Sequence, residues 1–162
     1  MQRLFDIFLS FSAILILSPI FIIISLILRF SGEHEIFYKQ ERVGKNGKLF
    51  YVLKFATMLK NSAKMGAGEI TLKNDPRVLP FGKFLRKSKI NEFPQLWNIL
   101  IGEMSIVGPR PMVPDTHAKY DNAAQSYINT VRPGLTGIGS IIFRDEERLL
   151  NNSNDARDFY DN

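Results

Sequence analysis

From Ile7 to Leu28 the chain runs 22 residues without a charge, IFLSFSAILILSPIFIIISLIL. Wound as an α-helix, this segment is about 33 Å long, enough to cross a hydrocarbon core. Phe, Ile and Leu fall on every face, unlike the one-sided pattern of a buried soluble helix. A cleaved signal peptide fits poorly, because the run is too long and no small-residue cleavage site follows it. The segment therefore predicts membrane insertion. Pro19, preceded by Ser18, interrupts it just past its middle. Proline brings no N–H to the Leu15 carbonyl and its ring crowds that oxygen, which predicts a kink. Two topologies follow: a kinked spanning helix, which the sequence alone favours, or a helix-break-helix that enters one leaflet and returns, with Ser18 satisfying freed backbone groups. Both leave Arg29, Lys39, Arg42, Lys45 and Lys48, which follow closely, on the cytoplasmic side.

Charge divides the 162-residue chain into three parts. Residues 1–35 carry a net −1, residues 36–110 hold 14 basic and 5 acidic residues, and residues 111–162 hold 5 basic and 8 acidic ones. The middle part therefore faces something anionic, whether phosphate, lipid head group or nucleic acid. With no cysteine, there is no disulfide framework, thiolate metal site or cysteine nucleophile. His34 and His117 are far apart and lack metal-ligand spacing. No Gly-rich phosphate loop, GxSxG elbow or HExxH motif occurs.

Residues 36–55 predict a β-hairpin: two runs of aromatic and β-branched residues flank Gly44-Lys45-Asn46-Gly47, whose Asn-Gly pair tolerates positive φ. A loop is expected over 61–75, with glycines at 66 and 68, followed by a short basic helix at 82–87. The next helix is expected to start at Asn91-Glu92 and close at Gly102. Asn91 suits the N-cap and Glu92 the first turn, and Pro94 is tolerated that early. Phe93, Leu96, Trp97, Leu100 and Ile101 would form its buried stripe. Arg86, Lys87 and Lys89 immediately precede it, which makes its start a candidate phosphate site. Two stiff turns, Gly108-Pro109-Arg110-Pro111 and Val131-Arg132-Pro133-Gly134, each present one arginine from a constrained backbone, suited to pairing bidentately with phosphate. Plain loop punctuation explains either turn alone; the two together beside a basic helix start favour phosphate binding. The segment from Arg144 onwards reads as a solvated acidic helix and a polar end.

The apolar Ser-Pro segment, KFATM at 54–58, NDPRVLPFGKFLRKSKINEFPQLWNILIGEMSIVGPRP at 74–111 and VRPGLTG at 131–137 together resemble the bacterial sugar transferases, the monotopic phosphoglycosyl transferases. The resemblance covers residues 1–140. It implies transfer of a sugar-1-phosphate from a UDP-sugar to polyprenol phosphate, with release of UMP, as the first membrane step of polysaccharide or glycoconjugate synthesis. It also implies Mg²⁺ and a location on the cytoplasmic face of the bacterial inner membrane. The fold it implies is α+β. A re-entrant N-terminal helix, broken at Ser18-Pro19, would occupy 1–35, and a small cytoplasmic domain with a β-hairpin and amphipathic surface helices would occupy 36–162.

The family's catalytic pair is Asp-Glu, the Asp being the nucleophile and the Glu assisting at the metal; this chain has Asn91-Glu92. Glu92 carries over as catalytic and metal-binding, whereas Asn91 carries over only as a position. A neutral carboxamide is a far weaker oxygen nucleophile than a carboxylate. Ala56 within KFATM is a second departure, where the family commonly has a basic residue. The candidate phosphate- and substrate-binding set is Arg86, Arg110, Arg132, Lys54 and Arg77. Expected partners are the UDP-sugar donor, polyprenol phosphate, the bilayer, and a second copy or glycan-assembly enzymes. Nucleic acid is not expected, since only charge speaks for it. A transferase acting by direct attack and a catalytically silent relative that binds lipid phosphate both stand open; Glu92 and the Arg-Pro turns favour the first. The chain ends 28 residues after Gly134, short of the usual family end, which implies a missing membrane-contacting tail.

Overall fold

The structure is a computed structural model that describes residues 1–65 and 75–137. The expected glycines at 66 and 68 and the acidic segment from Arg144 lie outside the described residues. Element α1 (Gln2–Phe30) is followed by β1 (Phe37–Val43), β2 (Leu49–Phe55), α2 (Pro80–Lys87), α3 (Gln95–Ile101), β3 (Ser105–Val107), α4 (Pro114–Ala118), α5 (Asn122–Ile128) and β4 (Gly134–Thr136). The fold is α+β, as expected.

Helix α1 runs unbroken through Pro19, so the expected break is not a boundary between two helices. The orphaned oxygen is dealt with locally: the Ser18 hydroxyl donates to the Leu15 carbonyl at 2.8 Å, the bond that Pro19 cannot make. One stripe of α1 is covered by the domain along its whole length. Asp6 and Ser10 are buried near the start and Ile24 and Leu28 near the end. Between them, Ala13, Ile14, Leu17 and Phe21 pack on a core of Phe50, Val52, Leu96, Ile99 and Met104. Ile24 and Leu28 join Phe55 and Leu85 in a second cluster. The remaining faces, including Phe8, Phe11, Leu15, Ile16, Ile22 and Ile23, are exposed.

Strands β1 and β2 pair antiparallel, with Tyr38 opposite Lys54, Gln40 opposite Val52 and Arg42 opposite Phe50. The turn between them has Asn46 at φ +60° and Gly47 at φ +71°, the positive values that the Asn-Gly pair predicts.

Helix α3 begins later than the expected Asn91 start. Residues Ile90–Glu92 form a 3₁₀ turn and the α-helix starts only at Gln95. Pro94 is the reason: without an N–H it cannot bond the Ile90 carbonyl, which accepts from the Phe93 N–H at 3.1 Å instead. Asn91 consequently makes no cap. The buried face also differs from the expected stripe. Gln95, Leu96, Asn98 and Ile99 are buried, whereas Trp97 and Ile101 are half exposed. Asn98 sets this rotation: its amide oxygen accepts from Leu53 N–H at 3.0 Å and its amide nitrogen donates to the Tyr51 carbonyl at 2.8 Å. The side chain thus acts as a peptide group along the open edge of β2.

The short strands β3 and β4 pair in parallel and press the two Arg-Pro turns together. A methyl group on Gly134 would lie 2.1 Å from the Gly108 nitrogen, so both turns need glycine there for backbone to meet backbone.

Candidate functional site

Strand alternation places Tyr38, Gln40 and Arg42 on the same face of the hairpin as Lys54. Arg42 is fixed by two bonds, donating to the Pro111 carbonyl at 3.1 Å and to the Gln40 amide oxygen at 2.6 Å. The first of these ties the hairpin to the turn that carries Arg110. Arg86, in the last turn of α2, contacts the Met58 sulfur at 3.8 Å. Glu92 stands in the 3₁₀ turn that follows α2, with the buried Asn91 just before it. Lys89, at φ +59°, reverses the chain between α2 and that turn.

Lys54 registers this surrounding directly. Burial of its ammonium pulls its pKa down to about 8; Glu92 opposes the shift, and Arg42, Arg110 and Arg86 add to it. Hence Lys54, Arg42, Arg86, Arg110 and Glu92 share one electrostatic neighbourhood, with four cations against one carboxylate. Such a surplus suits a ligand bearing several negative charges. The neighbourhood lies against the apolar helix. Phe55 and Phe93, next in sequence to Lys54 and Glu92, both meet the Phe21 ring of α1 edge-on, with centroids 5.7 and 6.4 Å away.

Two expected binding residues are committed elsewhere. Arg77 is buried, paired with Asp75 at 2.6 Å and donating to the Ser62 and Met65 carbonyls. It staples the loop before α2, because Asp75-Pro76-Arg77 closes on itself through the Arg77 N–H to the Asp75 carboxylate. Arg132 donates through Nε to the Gly102 carbonyl at 2.9 Å and borders a separate cleft of about 210 Å³ with Gln2, Lys45, Ser105 and Thr130. The two Arg-Pro turns therefore meet through their backbones while their arginines serve different places. Ala56 is buried, its N–H on the Ile36 carbonyl.

Sequence reasoning missed Arg42, Gln40 and Asn98 in the domain, and Arg3, Asp6 and Ser10 in the helix. Asp6 accepts from the Ser105 hydroxyl at 2.9 Å and from Ile106 N–H at 3.0 Å. Arg3 donates to the Ile99 and Leu100 carbonyls at the end of α3, where the helix dipole favours a cation. Arg3, Asp6 and Ser10 are spaced three and four apart, a polar stripe at the start of an apolar helix and the signal that would have found them.

Among the described residues no group of three or more His, Cys, Asp or Glu could hold a metal ion. Mg²⁺ commonly uses only one or two protein oxygens together with substrate phosphates. Glu92 offers one hard oxygen ligand. The buried Asn91 Oδ1, which has no hydrogen-bond partner, offers a second. These residues fit a Mg²⁺ shared with a bound phosphate ligand and do not fit one held by protein alone.

A family model described as Bacterial sugar transferase matches residues 1–160. The chain belongs to the bacterial sugar transferases. It is 42% identical over 159 residues to the exopolysaccharide production protein ExoY of Sinorhizobium fredii, covering 90% of this chain and 70% of that one. It is 36% identical over 160 residues to the undecaprenyl-phosphate galactose phosphotransferase of Salmonella typhimurium, covering 90% of this chain and 33% of that one. It is 36% identical over 144 residues to the UDP-glucose:undecaprenyl-phosphate glucose-1-phosphate transferase of Klebsiella pneumoniae, covering 86% and 30%. This sugar transferase thus spans about a third of the length of the last two relatives.

Proposed function

We propose that this chain transfers a sugar-1-phosphate from a UDP-sugar to polyprenol phosphate, releasing UMP, at the cytoplasmic face of the bacterial inner membrane. The observation that carries the reading is the cationic cluster of Lys54, Arg42, Arg86 and Arg110 around Glu92, held against the membrane helix through Phe21. A water-soluble diphosphate and a lipid-borne phosphate meet only at such a boundary.

The topology that fits this task is one-sided. Arg3 and Asp6 bind the domain at one end of α1, and Leu28 packs on it at the other. An upright spanning helix about 43 Å long would drag this charged domain into hydrocarbon, at prohibitive cost. With both ends of α1 at the cytoplasmic surface, the exposed apolar faces of α1, with Trp97 and Ile101, meet lipid instead.

Asn91 shapes the chemistry. Without a carboxylate at that position the transfer proceeds in one displacement. A phosphate oxygen of polyprenol phosphate attacks the sugar-bearing phosphorus of the donor, the bond from that phosphorus to the bridging oxygen breaks, and UMP leaves with the bridging oxygen. The donor diphosphate carries two negative charges and the lipid monoester close to two. Four cations against one carboxylate leave a surplus of three to hold both substrates together. Mg²⁺, bound through Glu92, would neutralise the oxygens that gain charge as the phosphoryl group moves.

The test is UMP release from a panel of UDP-sugars with polyprenol phosphate and Mg²⁺, together with intact-protein mass spectrometry after donor alone. Release with intersecting double-reciprocal plots and an unchanged protein mass is expected. A gain of one sugar phosphate on the protein would overturn the single displacement. No release with any sugar, despite lipid-phosphate binding, would identify a silent relative.

A further inference from the structure

The least explained atom in the domain is the amide oxygen of Asn91. Its residue is more than nine-tenths buried, and the oxygen is shut off from solvent with no hydrogen-bond partner. Buried polar atoms in folded proteins are nearly always paired, because leaving one unpaired forfeits its hydration without compensation. The next residue, Glu92, shares the electrostatic neighbourhood of Lys54 and its arginines, yet no donor reaches the Asn91 oxygen. An apolar side chain of the same shape would avoid the penalty altogether.

An acceptor kept unpaired, one residue before a carboxylate in the same turn, suits a ligand that brings positive charge of its own. We propose that Asn91 Oδ1 is a direct ligand to a divalent cation that enters together with the donor diphosphate. The claim rests on the transferase reading above and adds to it a role for the residue at the altered position. The surrounding cations explain why the metal needs the diphosphate: a bare dication would be repelled by Lys54, Arg42, Arg86 and Arg110, and the phosphate oxygens cancel that repulsion. The protein would give such an ion Glu92 and one neutral amide oxygen, with phosphate oxygens and water supplying the rest, a sparse set typical of Mg²⁺. In this chain the position that could have attacked phosphorus instead holds the ion that orients it.

The experiment uses the full chain in lipid nanodiscs, with UDP as the diphosphate probe and Mn²⁺ as the reporter cation. Mn²⁺ binding is followed by electron paramagnetic resonance, and UDP binding by thermal shift with and without Mg²⁺. In the unmodified protein, UDP and the cation should each tighten the other's binding. Asn91→Leu should fold with an unfolding temperature equal to or above that of the parent, since it removes an unpaired polar atom. It should weaken Mn²⁺ binding in the presence of UDP at least about tenfold. Asn91→Asp should keep or strengthen that binding. Unchanged Mn²⁺ affinity in Asn91→Leu would overturn the assignment, as would UDP binding to the unmodified protein with no metal dependence. Failure of UDP to bind at all would instead overturn the transferase reading beneath it, and the assignment with it.

Discussion

Replacing Lys54 with methionine should make the protein more stable and nearly inactive. The ammonium of Lys54 is held near pKa 8 in place of its ordinary 10.5, chiefly by burial and then by Arg42, Arg110 and Arg86. At 1.36 kcal/mol per pKa unit, keeping that charge in the folded protein at pH 7 costs about 3 kcal/mol. The sign follows from proton binding. Between pH 8 and 10.5 the folded state has released the Lys54 proton while the unfolded chain retains it, so stability rises with pH across that window. Below pH 8 the full penalty is present. Lys54→Met removes it, and about 1–3 kcal/mol of added stability at pH 7 is expected, the lower figure allowing for the lost attraction to Glu92. Urea unfolding of both proteins in nanodiscs from pH 6 to 10.5 measures this. The gap between them should be widest below pH 8 and close towards pH 10.5. Turnover should fall by roughly 10²–10³, the usual effect of removing one donor to a developing phosphoryl charge. In the parent, kcat/KM should decline above pH 8 as free Lys54 loses its proton. A variant less stable than the parent at pH 7, or a stability gap independent of pH, would refute the reasoning.

Glu92→Gln should leave the unfolding temperature within a few degrees of the parent and reduce UMP release by orders of magnitude; near-normal release would reduce Glu92 to a turn residue. Gly134→Ala should lose about 1–3 kcal/mol in urea unfolding, because its new methyl meets the Gly108 backbone with nothing flexible to yield. Cysteines placed at Met1 and Glu33 should both react with a membrane-impermeant reagent from the cytoplasmic side alone, and labelling from opposite sides would establish a spanning helix.

The hairpin was legible because its signals are local: strand composition on both sides and an Asn-Gly turn that needs positive φ. The long apolar helix was legible from length and lack of charge, and Ser18 serves the carbonyl that Pro19 frees. What periodicity could not resolve is which apolar residues face the domain core and which stay exposed. Trp97 and Ile101 carry the same signal as Leu96 and Ile99, so the stripe of α3 was read one rotation off. Asn98, which fixes that rotation, is an unremarkable polar residue until the β2 edge it completes is known. The binding arginines divided on similar grounds. Arg86 and Arg110 reach the Lys54 neighbourhood, while Arg77 pairs with Asp75 and the Ser62 and Met65 carbonyls and Arg132 holds the Gly102 carbonyl, 30 residues away. Long-range partners of this kind leave no local pattern.

The bond between Asp6 and Ser105 joins residues 99 apart in the chain. During synthesis the apolar helix therefore emerges long before the residues that grip its first turn exist. Arg3 and Asp6 find their partners only once α3 and β3 have left the ribosome and folded. The grip on the first turn of α1 is thus settled late, by the domain reaching back to Arg3 and Asp6. A bulky fusion ahead of Met1 would burden that last step of assembly and leave the reaction centre itself untouched.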